Sequence, residues 1–132
     1  MRGKTVVLGL AVVAAASPAR AETWRNASSA LGATAYIDTD SFQRAGDKVT
    51  FWREIRWPEV RTLDGGVRFD RIAAHYEADC RAMTMRSLHL RISLGSEVIA
   101  SAPDTGAVEQ PPEGTAGRTD LLAVCRGEWP RQ

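Results

Sequence analysis

The chain has 132 residues and a mass of 14.4 kDa, with 44% hydrophobic and 25% charged residues. This composition is ordinary for a globular protein, and the length allows one domain, which excludes disordered, fibrous and multidomain classes. The charges nearly balance, with 17 basic against 16 acidic residues. No net field is available to attract nucleic acids or other polyanions, so we expect no nucleic-acid partner.

The N-terminus has the pattern of a secretory signal peptide. Residues 1–4 are short and basic, residues 5–16 are an apolar run, and Ala19-Arg20-Ala21 is a small-x-small cleavage site. At about a dozen residues the run is well short of the roughly 20 that span a bilayer. We therefore expect a signal peptide at residues 1–21 and an exported domain at residues 22–132, in the periplasm or on the cell surface. No cysteine stands directly after the cleavage site, so we expect no lipid anchor, and removal of the short apolar run should leave no transmembrane segment.

The chain has two cysteines, Cys80 and Cys125. In an exported protein they most economically form one intramolecular disulfide, and closing a loop of 45 residues would stabilise the fold by roughly 4 kcal/mol. The alternatives are a redox pair or a metal pair. Neither cysteine belongs to a C-x-x-C motif, and a metal site usually needs four ligands. We expect a structural bridge and neither a metal nor a cofactor.

Alternating apolar and polar residues predict antiparallel strands in the first half of the exported domain. A short strand over residues 33–38 is expected to end in Asp38-Thr39-Asp40-Ser41, which is more typical of a turn cluster than of a paired-carboxylate site. A hairpin connection at residues 43–48 leads to a long strand over residues 49–57. Pro58 is expected to end that strand, because it lacks the N–H that a strand ladder needs.

The second half continues as a meander. Residues 58–67 are predicted to be a mobile loop, because they contain Asp64-Gly65-Gly66. A strand over residues 69–80 points Cys80 inward, a strand over residues 81–91 follows, and residues 92–100 form a hairpin around Gly95-Ser96. An antiparallel meander is the simplest topology for these strands.

The C-terminal region combines a loop with a short helix. Residues 101–117 contain three prolines and few apolar groups, which predicts a loop. Residues 119–127 have helical apolar spacing with a glycine at the end, and either Thr115 or Thr119 could cap the start. Since so short a helix is marginal alone, we expect Cys125 on its last turn to tie it to the sheet.

Catalytic signals are thin. His75 and His89 are the only histidines, both on predicted strands, and strict alternation puts His89 on the same face as Met85. The chain has no nucleophile elbow, phosphate loop or H-E-x-x-H motif. An enzyme would have to use a histidine beside Glu77 or Asp79 in a cleft. We therefore expect no catalytic residues and no enzymatic activity.

Arginine is the residue type that most suggests recognition. The sequence after residue 21 has 13 arginines but one lysine, and eight of the arginines lie between positions 53 and 91. Arginine and tryptophan are both favoured at protein interfaces. The candidate binding surface consists of Trp52, Arg53, Arg56, Arg71 and Arg86. The alternative is an ordinary solvated sheet face.

The order of several motifs matches a known family. They are Trp24, Tyr36-Ile37-Asp38, Ser41-Phe42-x-Arg44-x-Gly46-Asp47-x-Val49-x-Phe51-Trp52, Tyr76-Glu77-x-Asp79-Cys80-Arg81 and Leu121-Leu122-x-x-Cys125. This pattern resembles the surface-adhesin protein E family over nearly the whole exported domain. The most specific part is the acidic-Cys-Arg strand end together with a terminal helix that ends in cysteine.

The resemblance implies an α+β fold. It consists of an antiparallel sheet of about six strands, with a C-terminal helix held on the concave side by a disulfide between the positions of Cys80 and Cys125. The family's namesake looks like an outer-membrane lipoprotein adhesin that binds host extracellular-matrix proteins and can dimerise. The present sequence differs from it in lacking the lipidation cysteine.

These observations favour an exported, non-enzymatic binding module that resembles surface-adhesin protein E. Its expected partner is a protein, either an extracellular-matrix protein of a host or another envelope protein. The alternative function is that of a soluble periplasmic envelope protein with a structural or maintenance role. Edge strands in a small sheet would also allow a homodimer, although no residue specifies one.

Overall fold

The computed structural model describes residues 22–131, so the expected signal peptide lies outside the described residues. The elements are β1 (Trp24–Ala30), β2 (Ala33–Ala45), β3 (Lys48–Thr62), β4 (Arg68–Asp79), β5 (Thr84–Leu94), β6 (Glu97–Pro103) and α1 (Ala116–Arg126). The six strands form one antiparallel sheet in sequential order, which confirms the α+β fold and the meander. No helix within the described range is long and apolar enough to cross a membrane.

The meander gives the sheet two different ends. One end, here called the three-turn end, contains the β1–β2 turn at Leu31-Gly32, the β3–β4 connection at residues 63–67 and the β5–β6 turn at Gly95-Ser96. The other end, called the disulfide end, contains the β2–β3 turn at Gly46-Asp47 and the β4–β5 connection at residues 80–83. Every consecutive pair of strands is thus joined by a short connection.

The helix lies on one side of the sheet, called the helix face, and the other side is called the open face. Side chains on β3 alternate between them, so that Val49 and Phe51 are buried under the helix. The buried core beneath the helix consists of Ala27, Ile37, Val49, Phe51, Ala78, Met83, Met85, Leu121 and Val124. Most of the core therefore joins the helix to the sheet.

The helix has defined caps at both ends. Thr115 Oγ accepts a hydrogen bond from the Arg118 N–H at 3.3 Å, so Thr115 is the N-cap and the helix begins at Ala116, three residues before the predicted start. Gly127 ends the helix in the left-handed conformation with φ 66°, and its N–H donates to the Ala123 carbonyl at 3.0 Å. This is the conformation in which glycine is favoured after a helix.

The predicted disulfide is confirmed. Cys80 follows directly after β4, Cys125 is in the last turn of the helix, and their Cα atoms are 5.4 Å apart. No free cysteine is present in residues 22–131. The bond therefore fastens the C-terminal turn of the helix to the disulfide end of the sheet.

The sequence predicted that the polar cluster at residues 38–41 ends a strand, but in the structure the strand continues through it. β2 continues to Ala45, and the pairing with β3 shifts between Asp38 and Gln43. Ser41 Oγ accepts from the Trp52 N–H at 2.8 Å and donates to the Asp38 carbonyl at 2.7 Å. The hydroxyl thus replaces ladder bonds inside a bulge, and the strand passes through it.

Further differences from the prediction concern β3 and β1. β3 continues past Pro58 to Thr62, because the register with β4 shifts between Arg56 and Arg61 and no ladder bond is needed at the proline. Much of the predicted mobile loop is therefore strand. β1 was not predicted, since its sequence WRNASSA buries one residue, Ala27, and does not alternate.

Candidate binding surface

Four of the five predicted surface residues lie on the open face. Trp52 and Arg56 are on β3, Arg71 on β4 faces Arg56, and Arg86 is on β5. The period of two along a strand places Trp52 and Arg56 on the same face of β3. The pairing of β3 with β4 and of β4 with β5 brings Arg71 and Arg86 to that face as well. The structure thus joins these four side chains in one surface.

Arg53 is separated from the other four, because it lies on the helix face. Its Nε atom donates to Asp120 Oδ2 on the helix at 2.6 Å, and Ser28 donates to the other carboxylate oxygen at 2.9 Å. Asp120 is fully buried, and burial raises the pKa of its carboxyl while Arg53 opposes that shift. The arginine is thus the partner of a buried helix carboxylate, which corrects its assignment to the binding surface.

Trp52 is the centre of an aromatic cluster on the open face. Its ring stacks on His75 of β4 with 5.0 Å between centroids and contacts His89 of β5 edge-on at 5.9 Å. The Arg91 guanidinium lies 4.8 Å from the Trp52 ring centroid. Burial and the nearby His89 lower the pKa of His75, which favours neutral imidazole at pH 7. The result is an aromatic patch in which the Arg91 cation lies over the Trp52 ring.

Strict alternation, which puts His89 on the same face as Met85, fails in β5. His75 pairs with His89, but the adjacent Tyr76 pairs with Ser87, so Leu88 is an extra residue in β5. Such a bulge exchanges the two faces of the strand beyond it. Met85 therefore stays in the core, whereas His89 points to the open face, where its Nε2 is 2.6 Å from Ser101 Oγ.

A second cluster surrounds Arg56. Its guanidinium lies 4.2 Å from the ring centroid of Tyr36 and 5.4 Å from that of Trp24. Its Nε atom also donates at 2.7 Å to Glu54, a carboxylate that is almost completely buried and that Arg71 contacts at 3.5 Å. These contacts hold the arginine flat against aromatic rings on two neighbouring strands. The predicted surface did not include Trp24 or Tyr36.

Arg86 lies at the side of the open face nearer the disulfide end. It contacts Glu77 at 3.2 Å, and Lys48 contacts the same carboxylate at 3.5 Å. Because the Arg86 side chain is 46% exposed, this ion pair contributes little to stability. The arginine keeps donors available to a partner.

The arrangement suits recognition rather than acid–base chemistry. Tryptophan and arginine are the residues that most often dominate protein interfaces, and both are here held by neighbours rather than free to move. His75 and His89 both contact the Trp52 ring on the open face. The nearby carboxylate of Glu77 forms ion pairs with Arg86 and Lys48. Within residues 22–131, no group of three or more His, Cys, Asp or Glu side chains could hold a metal ion.

Comparison of the sequence with models of known protein families identifies the family of this chain. The sequence model of surface-adhesin protein E matches residues 24–126. The chain belongs to the surface-adhesin protein E family. The match extends from the start of β1 to the end of α1, so it includes the whole sheet, the helix and both cysteines. The resemblance predicted from the motifs is confirmed.

Comparison with solved structures gives the same fold. The chain is similar to Haemophilus influenzae protein E in a second crystal form, with a TM-score of 0.58 and 9% sequence identity over 80% of this chain and 96% of that one. At this identity the similarity establishes the adhesin E fold alone. No protein of curated function matches the sequence.

Proposed function

We propose that this chain is an exported, non-enzymatic adhesin that binds an extracellular-matrix protein through the open face of its sheet. Membership of the surface-adhesin family supports the adhesin role. The Trp52 cluster is the observation that favours this face, because it places a tryptophan, two histidines and Arg91 in direct contact on the solvent side of the sheet.

The physical reasoning concerns how interfaces obtain their affinity. A few central residues provide most of the binding free energy, and they are usually aromatic residues or arginines surrounded by a polar rim. On the open face Trp52 is central, while Arg71 and Arg86 lie around it with 36% and 46% of their side chains exposed. A partner that covered Trp52 would also meet these arginines, whose planar donors suit carboxylates.

The direct test measures binding of the oxidised protein to immobilised laminin and vitronectin by biolayer interferometry. We expect binding at micromolar concentrations. Trp52→Ala should weaken it by about 30-fold or more, the effect of a central interface residue. Arg86→Gln should weaken it by about three- to tenfold, since a peripheral charge contributes less.

Arg126→Gln provides a matched control, because it removes the same charge from an exposed residue in the last turn of the helix, on the other side of the sheet. It should leave binding unchanged. Absence of binding to either matrix protein would contradict the matrix-binding role. Binding that tolerated Trp52→Ala would contradict the assignment to the open face.

The compartment requires a separate measurement, because a matrix protein can meet this chain only at the cell surface. Protease added to intact cells should digest the protein, and permeabilising the outer membrane should add little digestion. Protection until permeabilisation would restrict the partner to envelope proteins of the periplasm and would contradict the proposal.

A further inference from the structure

An apolar groove of about 310 Å³ lies on the helix face at the three-turn end. Its floor includes Ala33 and Ala35, its walls include Ile55 and Trp57, and the first helical residue, Ala116, closes one side. The two alanines leave space where larger side chains would fill the sheet surface. The volume is at the low end of the roughly 300–1,000 Å³ typical of small-molecule sites.

A second, more polar cavity of about 470 Å³ adjoins this groove. Leu31, Trp57 and Arg61 line both cavities, while Glu59 and Thr62 line the second one alone. Arg61 lies with its guanidinium 5.3 Å from the Trp57 ring centroid. Neither Arg61 nor Glu59 forms an ion pair with another residue in the described range. An apolar space thus leads to one unpaired cation and one unpaired anion.

Leu31 stands between the two cavities in an unfavourable state. It is completely exposed, and its φ of 52° is left-handed, as is that of Gly32 at 77°. A two-residue hairpin turn with both φ values positive favours asparagine, aspartate or glycine. A leucine there incurs the steric cost of the left-handed conformation and also leaves a large apolar side chain in water.

Met83 shows how such a cost is normally offset. It is the other left-handed non-glycine residue in the described range, with φ 56°, but it is 7% exposed and packs in the core. Burial of its side chain compensates for the backbone conformation. Leu31 has no such compensation in the free protein, whereas an apolar group bound in the adjacent groove would provide it.

We propose that this site binds a zwitterionic lysophospholipid with an ethanolamine head group. The single acyl chain lies on Ala33 and Ala35 and is covered by Leu31. The phosphate binds Arg61, and the ammonium group binds Glu59. A single chain fits the small groove, and a zwitterion is the head group that satisfies both unpaired charges.

The proposal is tested by calorimetric titration of the oxidised protein with a dodecyl-chain lysophosphatidylethanolamine below its critical micelle concentration. We expect saturable binding of one molecule per chain. Arg61→Gln and Glu59→Gln should each weaken binding by about tenfold, the scale of one charge-assisted hydrogen bond. Dodecanoate has no ammonium group, so only Arg61→Gln should weaken its binding.

Two further variants test the groove itself. Ala33→Phe fills the floor and should abolish binding. Leu31→Asn removes the apolar cover but suits the turn, so it should weaken lysophospholipid binding while raising the thermal unfolding midpoint. Because this variant gains stability, its loss of binding cannot be attributed to misfolding. Arg86→Gln on the open face should leave lysophospholipid binding unchanged, which separates this site from the protein-binding surface.

Three outcomes would overturn the proposal. Unchanged affinity in both Leu31→Asn and Ala33→Phe would remove the groove as the site. Equal affinity for dodecanoate and lysophosphatidylethanolamine, with no effect of Glu59→Gln, would replace the zwitterion by a simple anionic amphiphile. No lipid binding, together with a dimer in sedimentation that Ala33→Phe disrupts, would assign the groove to a second copy of the chain.

Discussion

The two ends of the sheet differ in how far their apolar side chains are exposed to solvent. At the disulfide end, Met83 is buried and the Cys80–Cys125 bond holds the helix. At the three-turn end, large apolar side chains are exposed. Six of the eight such residues in the described range are there, namely Leu31, Val60, Leu63, Val67, Val98 and Ile99. The last turn of the helix is bonded to the disulfide end, whereas at the three-turn end the helix contributes its first residue, Ala116, to the groove and leaves these side chains exposed.

This difference indicates that one end of the domain provides stability while the other end is available for binding. The helix contacts and the disulfide concentrate stability at one end. The other end can then keep apolar side chains and cavities in contact with solvent, at a cost that the domain tolerates. Clustered exposed apolar residues usually mark binding sites in soluble proteins. The predictions below test whether the disulfide end contributes more to the free energy of unfolding than the three-turn end does.

The largest expected effect is loss of the disulfide. Cys80→Ser should lower the free energy of unfolding by about 4 kcal/mol, because the unfolded chain is no longer constrained by a 45-residue loop. Cys125→Ser should lower it by a similar amount, since either change opens the same loop. Urea unfolding followed by tryptophan fluorescence measures both values.

The wild-type protein after reduction is the matched control, and it should unfold like the two serine variants. A difference between the variants of more than about 2 kcal/mol would show that one cysteine has a role beyond the bridge. Losses under about 1 kcal/mol in both would show that helix packing, rather than the bond, stabilises the disulfide end.

The second prediction compares the two left-handed residues directly. Met83→Asn should lower the free energy of unfolding by about 2 kcal/mol, because the loss of a buried apolar side chain exceeds the relief of backbone strain. Leu31→Asn should raise it by about 1 kcal/mol, because no burial is lost at a fully exposed position. The same substitution is thus expected to have opposite signs at the two ends.

Thermal and urea unfolding of both variants, each compared with the wild type, measure these changes. If Leu31→Asn destabilised the free protein, then Leu31 would already be compensated by intramolecular packing, and the contrast between the ends would fail. If Met83→Asn had no effect, then the core beneath the helix would not extend to the β4–β5 connection.

Much of the fold could be predicted because its signals are local in sequence. The alternation of residues 49–57 and a threonine cap at 115 or 119 depend on neighbouring residues, and the two cysteines have only each other as disulfide partners. β1 and the strand beyond Pro58 could not be predicted in this way. They exist because a neighbouring strand supplies hydrogen bonds or a bulge removes the need for them.

The candidate surface was predictable to the extent that a period of two determines it. Trp52 and Arg56 share a face for this reason. The same period puts Arg53 on the face of Val49 and Phe51, but its partner Asp120 is 67 residues away and is brought near only by the helix packing. His89 was misplaced because a single extra residue, Leu88, reverses the alternation, and this bulge has no clear sequence signal.

The smallest expected effect is on the open face between the two ends. Burial and His89 lower the pKa of His75 below its ordinary value of 6.5. The unfolded chain therefore binds a proton at His75 more readily than the folded protein does. Stability should rise with pH through the window from the folded pKa up to about 6.5, and it should be lost as the pH falls through that window.

Urea unfolding of the wild type and His75→Gln between pH 5 and 8 isolates this contribution. The glutamine variant lacks the titrating imidazole, so the wild type should lose stability relative to it as the pH falls below 6.5. The raised pKa of Asp120 has the opposite sign, since protonation there favours the folded state, but it is common to both proteins and cancels in the difference. A difference that did not change with pH would show that the Trp52 cluster leaves His75 as accessible to protons as it is in the unfolded chain.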